Sequence, residues 1–239
     1  MADDLVKTVV KYTSATSKAD KVSKSIGFGC ATLARVIEFY AAKPTRHSVG
    51  LGAVASQISY ARYVTRFTGI FECIEALQND SWTYADDDPR VRQLVKLQVY
   101  SMLLYYPLEH VSFVGFVAPK WFNVDAMRAM RQSCMAWTVY VVLDMYANHL
   151  RLTKLAKREK MLEAKIIDEA NPDAVAERAT ELATIQSTRQ YLIINQWRNV
   201  LFLPNCIHWS SERGIIPEVL VQFLGFAEGV LGIWQTWPH

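Results

Sequence analysis

The sequence predicts an all-α protein, with amphipathic N-terminal helices followed by membrane-embedded helices and a C-terminal transmembrane helix. Three observations predict it. Apolar residues recur at alternating steps of four and three between residues 56 and 78, the spacing of one helix face. A run of 21 residues, Gly214 to Trp234, is almost entirely apolar. Hydrophobic residues make up 51% of the 239 and aromatics 12%, above an ordinary soluble domain. Mean hydropathy is nevertheless only +0.05, because charged helical stretches alternate with apolar ones. Only part of the chain is therefore expected in lipid. Four segments follow: an amphipathic region at 1–90, membrane-embedded helices at 91–150, a charged helical excursion at 151–190 and a C-terminal membrane region at 191–239.

Between residues 18 and 42, Val22, Ile26, Leu33, Ile37 and Tyr40 fall on one side at helical spacing, after a Ser17-to-Asp20 pair of capping-box type. Pro44 and the small residues through Gly52 are expected to interrupt this helix. The best amphipathic pattern follows at 56–78. Tyr60, Val64, Phe67, Phe71 and Ile74 make its stripe, with Arg62 and Arg66 beside it, and it ends at Asn79-Asp80. These seven residues are the candidate lipid-binding face: an interfacial helix buries its apolar side in the headgroup boundary while its cations meet anionic lipid. Packing of the same stripe against the preceding helix is the other reading of the pattern.

The segment from Val99 to Ala118 is long enough to cross or enter a bilayer, with an expected kink at Pro107 and an acid, Glu109, near its middle. A shorter and more polar stretch, Cys134 to Leu150, contains Asp144 and reads as a buried or re-entrant helix. Basic residues from Arg151 to Lys165 then lead into an acid-rich run, with two charged helices expected to join at Asn171-Pro172-Asp173. The last apolar region is expected to divide at Pro204 and at Arg213-Gly214.

The final run, Gly214 to Trp234, is about 31 Å long as a helix and matches a bilayer core. Glu218 lies near one end, whereas Glu228 lies deep enough to need protein or water beside it, since an acid at the bilayer centre costs on the order of 3 kcal/mol. Gly225, Gly229 and Gly232 form a small-residue strip suited to close approach of another helix. Glu109, Asp144 and Glu228 are the intramembrane polar candidates. They either line a water-filled path or pair within a bundle.

Chemistry-bearing motifs are sparse. The histidines are scattered, without HExxH, GxSxG or a phosphate-cradling GxxxxGK. Cys30, Cys73, Cys134 and Cys206 have neither CxxC spacing nor nearby histidines, so free thiols are expected in place of a disulfide framework or metal site. No catalytic residue, metal or cofactor is expected, and the chain reads as a non-enzyme. A formal charge of +3 suits an anionic membrane surface, but no broad basic patch with interleaved aromatics points to nucleic acid. The N-terminus resembles neither a secretory signal nor a mitochondrial presequence, and Trp237-Pro238-His239 is no matrix address, so internal targeting is expected.

Four blocks in order resemble the peroxisomal biogenesis factor 11 family. In SKADKVSKSIGFGCATLARVIEFY, Asp20-Lys21-Val22 looks like the family's early Asp-Lys signature. In SYARYVTRFTGIFECIEAL, Ala61-Arg62 and Arg66 look like its Ala-Arg-Lys and Arg positions, with Tyr63 standing in place of lysine. LLYYPLEHVSFVGFVA resembles its Tyr-Tyr-x-x-Asp stretch, with Glu109 in place of aspartate. Trp197 to Trp237 carries Arg198-Asn199, Leu203-Pro204, His208-Trp209 and the glycine strip, with Phe202 where an acid is common.

The resemblance implies an integral membrane protein of peroxisomes or glycosomes that elongates the organelle membrane and promotes its fission and proliferation. Its implied means are amphipathic helix insertion, self-association into homo-oligomers and recruitment of dynamin-related fission machinery, with membrane lipids, anionic ones foremost, as the other partner. The alternative function is a channel or permeability protein for small metabolites in the same membrane.

Overall fold

The computed structural model describes residues 2–165 and 172–238, and these fold into eight α-helices with no strand among them. They are α1 (Ala2–Thr13), α2 (Thr16–Ala41), α3 (Arg46–Thr65), α4 (Gly69–Asn79), α5 (Pro89–Val117), α6 (Ala126–Ala164), α7 (Pro172–Ser210) and α8 (Glu218–Thr236), with a short 3₁₀ turn, Arg66–Thr68, joining α3 to α4. The predicted fold class is the observed one.

Helix starts follow local chemistry. Thr45 and Ser48 form a capping box at α3: the Ser48 amide donates to Thr45 Oγ1 at 3.1 Å and the Thr45 amide to Ser48 Oγ at 2.9 Å. That box starts the helix at Arg46, so the interruption expected through Gly52 is confined to the residues around Pro44. Asp88 and Asp125 cap α5 and α6 through the amides of Val91 and Arg128, and Pro89 occupies the first turn of α5, where its missing N–H costs nothing. The α4 C-terminus falls at Asn79 as expected, with Asp80 in the left-handed region at φ 51°.

Other boundaries differ from the sequence reading. α2 begins at Thr16 with Ala15 at its N-cap, whose side chain cannot accept a bond, and Asp20 pairs instead with Arg62 of α3. Pro107 and Pro204 both lie inside continuous helices. Each removes one ladder hydrogen bond, but the residues beside them, Leu103, Tyr106 and Leu203, pack into the core clusters. The stretch Cys134 to Leu150 is the middle of the 39-residue α6. Gly214, at φ +67°, and Pro217 hold residues 211–217 outside helix, so α8 starts at Glu218 and not at Gly214. The turn expected at Asn171-Pro172-Asp173 lies partly outside the described residues; Pro172 is the first residue of α7.

The helices pack as a ring. Going round it, α3 lies on α2, α2 on α8, α8 on α7, α7 on α6, α6 on α5 and α5 on α4, with a thin contact between α3 and α5 completing the circle. Close packing is set by small residues: Gly27 of α2 meets Ile58 of α3, Gly29 of α2 meets the Phe226 ring of α8, and Gly115 of α5 meets Val124 and Ala126. α1 is tied to α8 and the residue after it, Tyr12 bonding Thr236 Oγ1 at 2.7 Å and packing tilted against the Trp237 ring at 5.1 Å. Beyond Leu150 and before Tyr191, α6 and α7 continue together as a charged arm. Arg158 pairs with Glu181 and Arg189 with Glu159 across it, above a small core of Leu155, Ile185 and Leu192.

Candidate functional site

Polarity is inverted in this ring. Among the described residues sixteen polar or charged ones are buried, including Lys24, Arg62, Glu109, Asp144, Arg151 and Glu228, while large apolar side chains cover the outside. Exposed apolar residues run from Leu97 to Val117 on α5, Met127 to Tyr146 on α6, Tyr191 to Ile207 on α7 and Val219 to Trp234 on α8. These runs measure about 22 to 30 Å at the helical rise, against a hydrocarbon core of about 30 Å. Above Tyr146 on α6 the large apolar residue exposed is Met161, and below Tyr191 on α7 it is Val175. The apolar cover thus stops where the charged arm starts.

Inside, the charges pair across helices. Arg62 of α3 donates from Nε and Nη2 to the two oxygens of Asp20 on α2, at 2.8 and 3.1 Å, a bidentate fork. Arg66 reaches α5, where it meets Glu109 Oε1 at 3.0 Å and the Tyr105 hydroxyl at 2.8 Å; that hydroxyl donates to Glu109 at 2.5 Å. Glu228 of α8 accepts from Lys24 of α2 on one oxygen and from Arg198 of α7, at 3.0 and 2.6 Å, on the other. Asp144 of α6 accepts on Oδ2 from three amides, Asn148, Asn195 and Asn199, at 3.0, 2.8 and 2.6 Å. Each buried acid therefore has the partners that make its burial tolerable. Glu109 Oε2 alone among these carboxylate oxygens is buried without a partner, and it borders a cavity of about 230 Å³.

The sequence-derived residues sort into three groups. Tyr60, Val64, Phe67, Phe71 and Ile74 are all exposed, from 40% to 66%. They form an outward stripe that crosses the α3–α4 joint, with Tyr60 and Phe67 also touching the Phe113 ring of α5. Arg62 and Arg66 depart from the expectation that they meet lipid headgroups: both turn inward onto acids. A carboxylate within reach in a protein interior outcompetes a headgroup that would have to be reached across the apolar stripe.

The glycine strip is packed from within the chain. It receives elements of its own chain: Gly225 lies under the Phe28 ring, Gly229 under Ser25 and Gly232 under the Arg198 guanidinium. Of the two readings of the intramembrane polar residues, pairing within the bundle describes Glu109, Asp144 and Glu228 as they stand.

Sequence reasoning missed Asp20, Lys24 and Arg198 as the partners, since the pairs are separated by 42, 204 and 30 residues. Asp87, in the loop before α5, is a further buried acid. Burial raises its pKa, but hydrogen bonds from Arg151 and the Tyr84 amide and the nearby Arg151 and Lys154 charges outweigh this, so its carboxyl sits below the ordinary value.

An all-helical ring with charges inside and an apolar belt outside is the organisation of a membrane-associated protein. One helix among the described residues, Glu218–Thr236, is by itself long and apolar enough to cross a bilayer; the expected second crossing, α5, is interrupted by Glu109 and His110. The chain belongs to the peroxisomal biogenesis factor 11 family, whose sequence model matches residues 6–237. It is thereby a factor of peroxisome biogenesis and proliferation, associated with the peroxisomal membrane, in a family of biogenesis factors and not of enzymes. Neither the curated proteins nor the solved structures contain a match to it.

Proposed function

We propose that this protein is an integral peroxisomal membrane component that elongates the organelle membrane and promotes its fission and proliferation. The observation that carries this reading is the inverted polarity of the ring, with the exposed stripe Tyr60, Val64, Phe67, Phe71 and Ile74 on its α3–α4 side. An outward apolar stripe on an interfacial helix wedges into one leaflet and expands it relative to the other. With Arg62 and Arg66 held inside, leaflet insertion depends on apolar area, and anionic lipid contributes little through these two residues.

Self-association would concentrate such wedges. Because the glycine strip is occupied by α2 and Arg198, homo-oligomers form through other surfaces. Recruitment of dynamin-related machinery and a glycosomal counterpart of the role belong to this same reading by family membership.

The test is tubulation of liposomes by the purified full-length chain. Phe71→Asp, at the most exposed stripe position, is expected to reduce tubulation several-fold while leaving thermal stability in detergent unchanged. Undiminished tubulation by that variant would remove the stripe from the mechanism.

A second reading, a permeability protein for small metabolites, is favoured by a separate observation. The ring holds cavities of about 230 and 310 Å³ whose linings include ion-paired residues of α2, α3, α5, α7 and α8. Uptake of small solutes into liposomes that do not tubulate would favour it.

A further inference from the structure

Three cavities follow one another through the ring. The first, about 300 Å³, lies between α2 and α3 near Ala34, Ser48 and Gly52. The second reaches Glu109 and Cys134, and the third reaches Ser17 and Asp144 towards the charged arm. Two side chains, Lys24 and Arg62, line all three. Both are buried, at 7% and 8% exposure, and both are held: Lys24 by Glu228 and by the Phe202 ring 3.6 Å below its ammonium, Arg62 by the Asp20 fork.

We propose that the ion pairs Lys24–Glu228–Arg198 and Arg62–Asp20 are the closed gate of a path through the ring for small hydrophilic solutes, and this rests on the permeability reading above. Three features distinguish a gate from a pair that merely stabilises packing. The pairs stand between cavities, not within filled core. Their burial gains less stability than an apolar plug of the same volume would, so a purely structural partition is better made of leucine. And the wall that carries Asp20, Lys24 and Arg62 meets α5 through side chains, with the Tyr60, Tyr63 and Phe67 rings against His110 and Phe113 and Arg66 on Glu109 and Tyr105, a seam that can part without breaking backbone hydrogen bonds. Once parted, the freed ammonium, guanidinium and carboxylate groups would hydrate and line the path.

The native thiol of Cys134 borders the second cavity and reports on water access independently of transport. The experiment places the full-length protein in liposomes and compares wild type with Glu228→Gln and, separately, Asp20→Asn. Two rates are read: entry of a graded series from glycerol through glucose to a trisaccharide, and modification of Cys134 by a small charged thiol reagent, resolved peptide by peptide. Circular dichroism confirms that each variant is folded, and the second variant serves if the first is not. The gate predicts that at least one folded variant raises both rates tenfold or more, with the trisaccharide still excluded. Solute entry by wild type that neither folded variant changes overturns the gate and leaves the permeability reading standing. No entry by any folded protein, whatever the Cys134 rate, overturns the permeability reading and the gate with it.

Discussion

At the scale of single residues, the decisive feature is that cations and acids far apart in sequence meet inside apolar surroundings. Breaking one partner of such a pair strands the other, at a cost of about 3 to 5 kcal/mol. Asp20→Ala and Arg62→Ala should each destabilise the protein by roughly that amount, and the double variant by much less than their sum; thermal unfolding in detergent measures the cycle. Purely additive losses would show that the fork seen between these residues carries no coupling.

Asp87 gives a pH prediction outside the apolar belt. Its carboxyl titrates lower in the folded protein than in the unfolded chain, where it takes up a proton near pH 4. As pH falls, the unfolded chain binds that proton first, so the stabilisation is complete above about pH 5 and is lost through the folded value. Asp87→Asn should flatten this acid limb in a stability-against-pH series, and an unaltered limb would assign it to other carboxylates.

At the scale of elements, α8 and the α3–α4 stripe were legible because each rests on a local signal: a continuous apolar run in one and a three-and-four periodicity in the other. Much of the rest was not, for physical reasons that can be named. Proline at 107 and 204 reads as a break, yet flanking packing carries both helices through. Gly225, Gly229 and Gly232 read correctly as a close-contact strip, but a sequence does not say whose helix fills it, and Phe28, Ser25 and Arg198 do.

The burial of Arg62 and Arg66 was equally hidden, since their stripe neighbours face outward and only Asp20 and Glu109, on other helices, turn them in. The strip makes a prediction at this scale. A side chain at Gly225 would strike the Phe28 ring, so Gly225→Leu should lose about 1 to 3 kcal/mol of stability by forcing α2 from α8. Its oligomer profile in detergent should change only as far as unfolding changes it; an oligomer lost from a fully stable variant would return the strip to an interface between chains.

For the whole molecule, the central feature is inversion: a ring of helices with charge within and an apolar belt of bilayer thickness without, continued on one side by a charged arm. α1, the end of α8 and the arm all lie at that side, tied by Tyr12 to Thr236 and by Arg151 to Asp87. The most direct measurement is labelling in peroxisomal membranes by a photoreactive probe dissolved in the lipid phase, mapped residue by residue. The inverted ring predicts labels on outward positions of several helices, Leu104, Val139, Val200 and Phe223, with Val99, Val141 and Leu192 protected. Labels confined to α8, with Leu104, Val139 and Val200 silent, would contradict it and leave a single anchor beneath a soluble bundle.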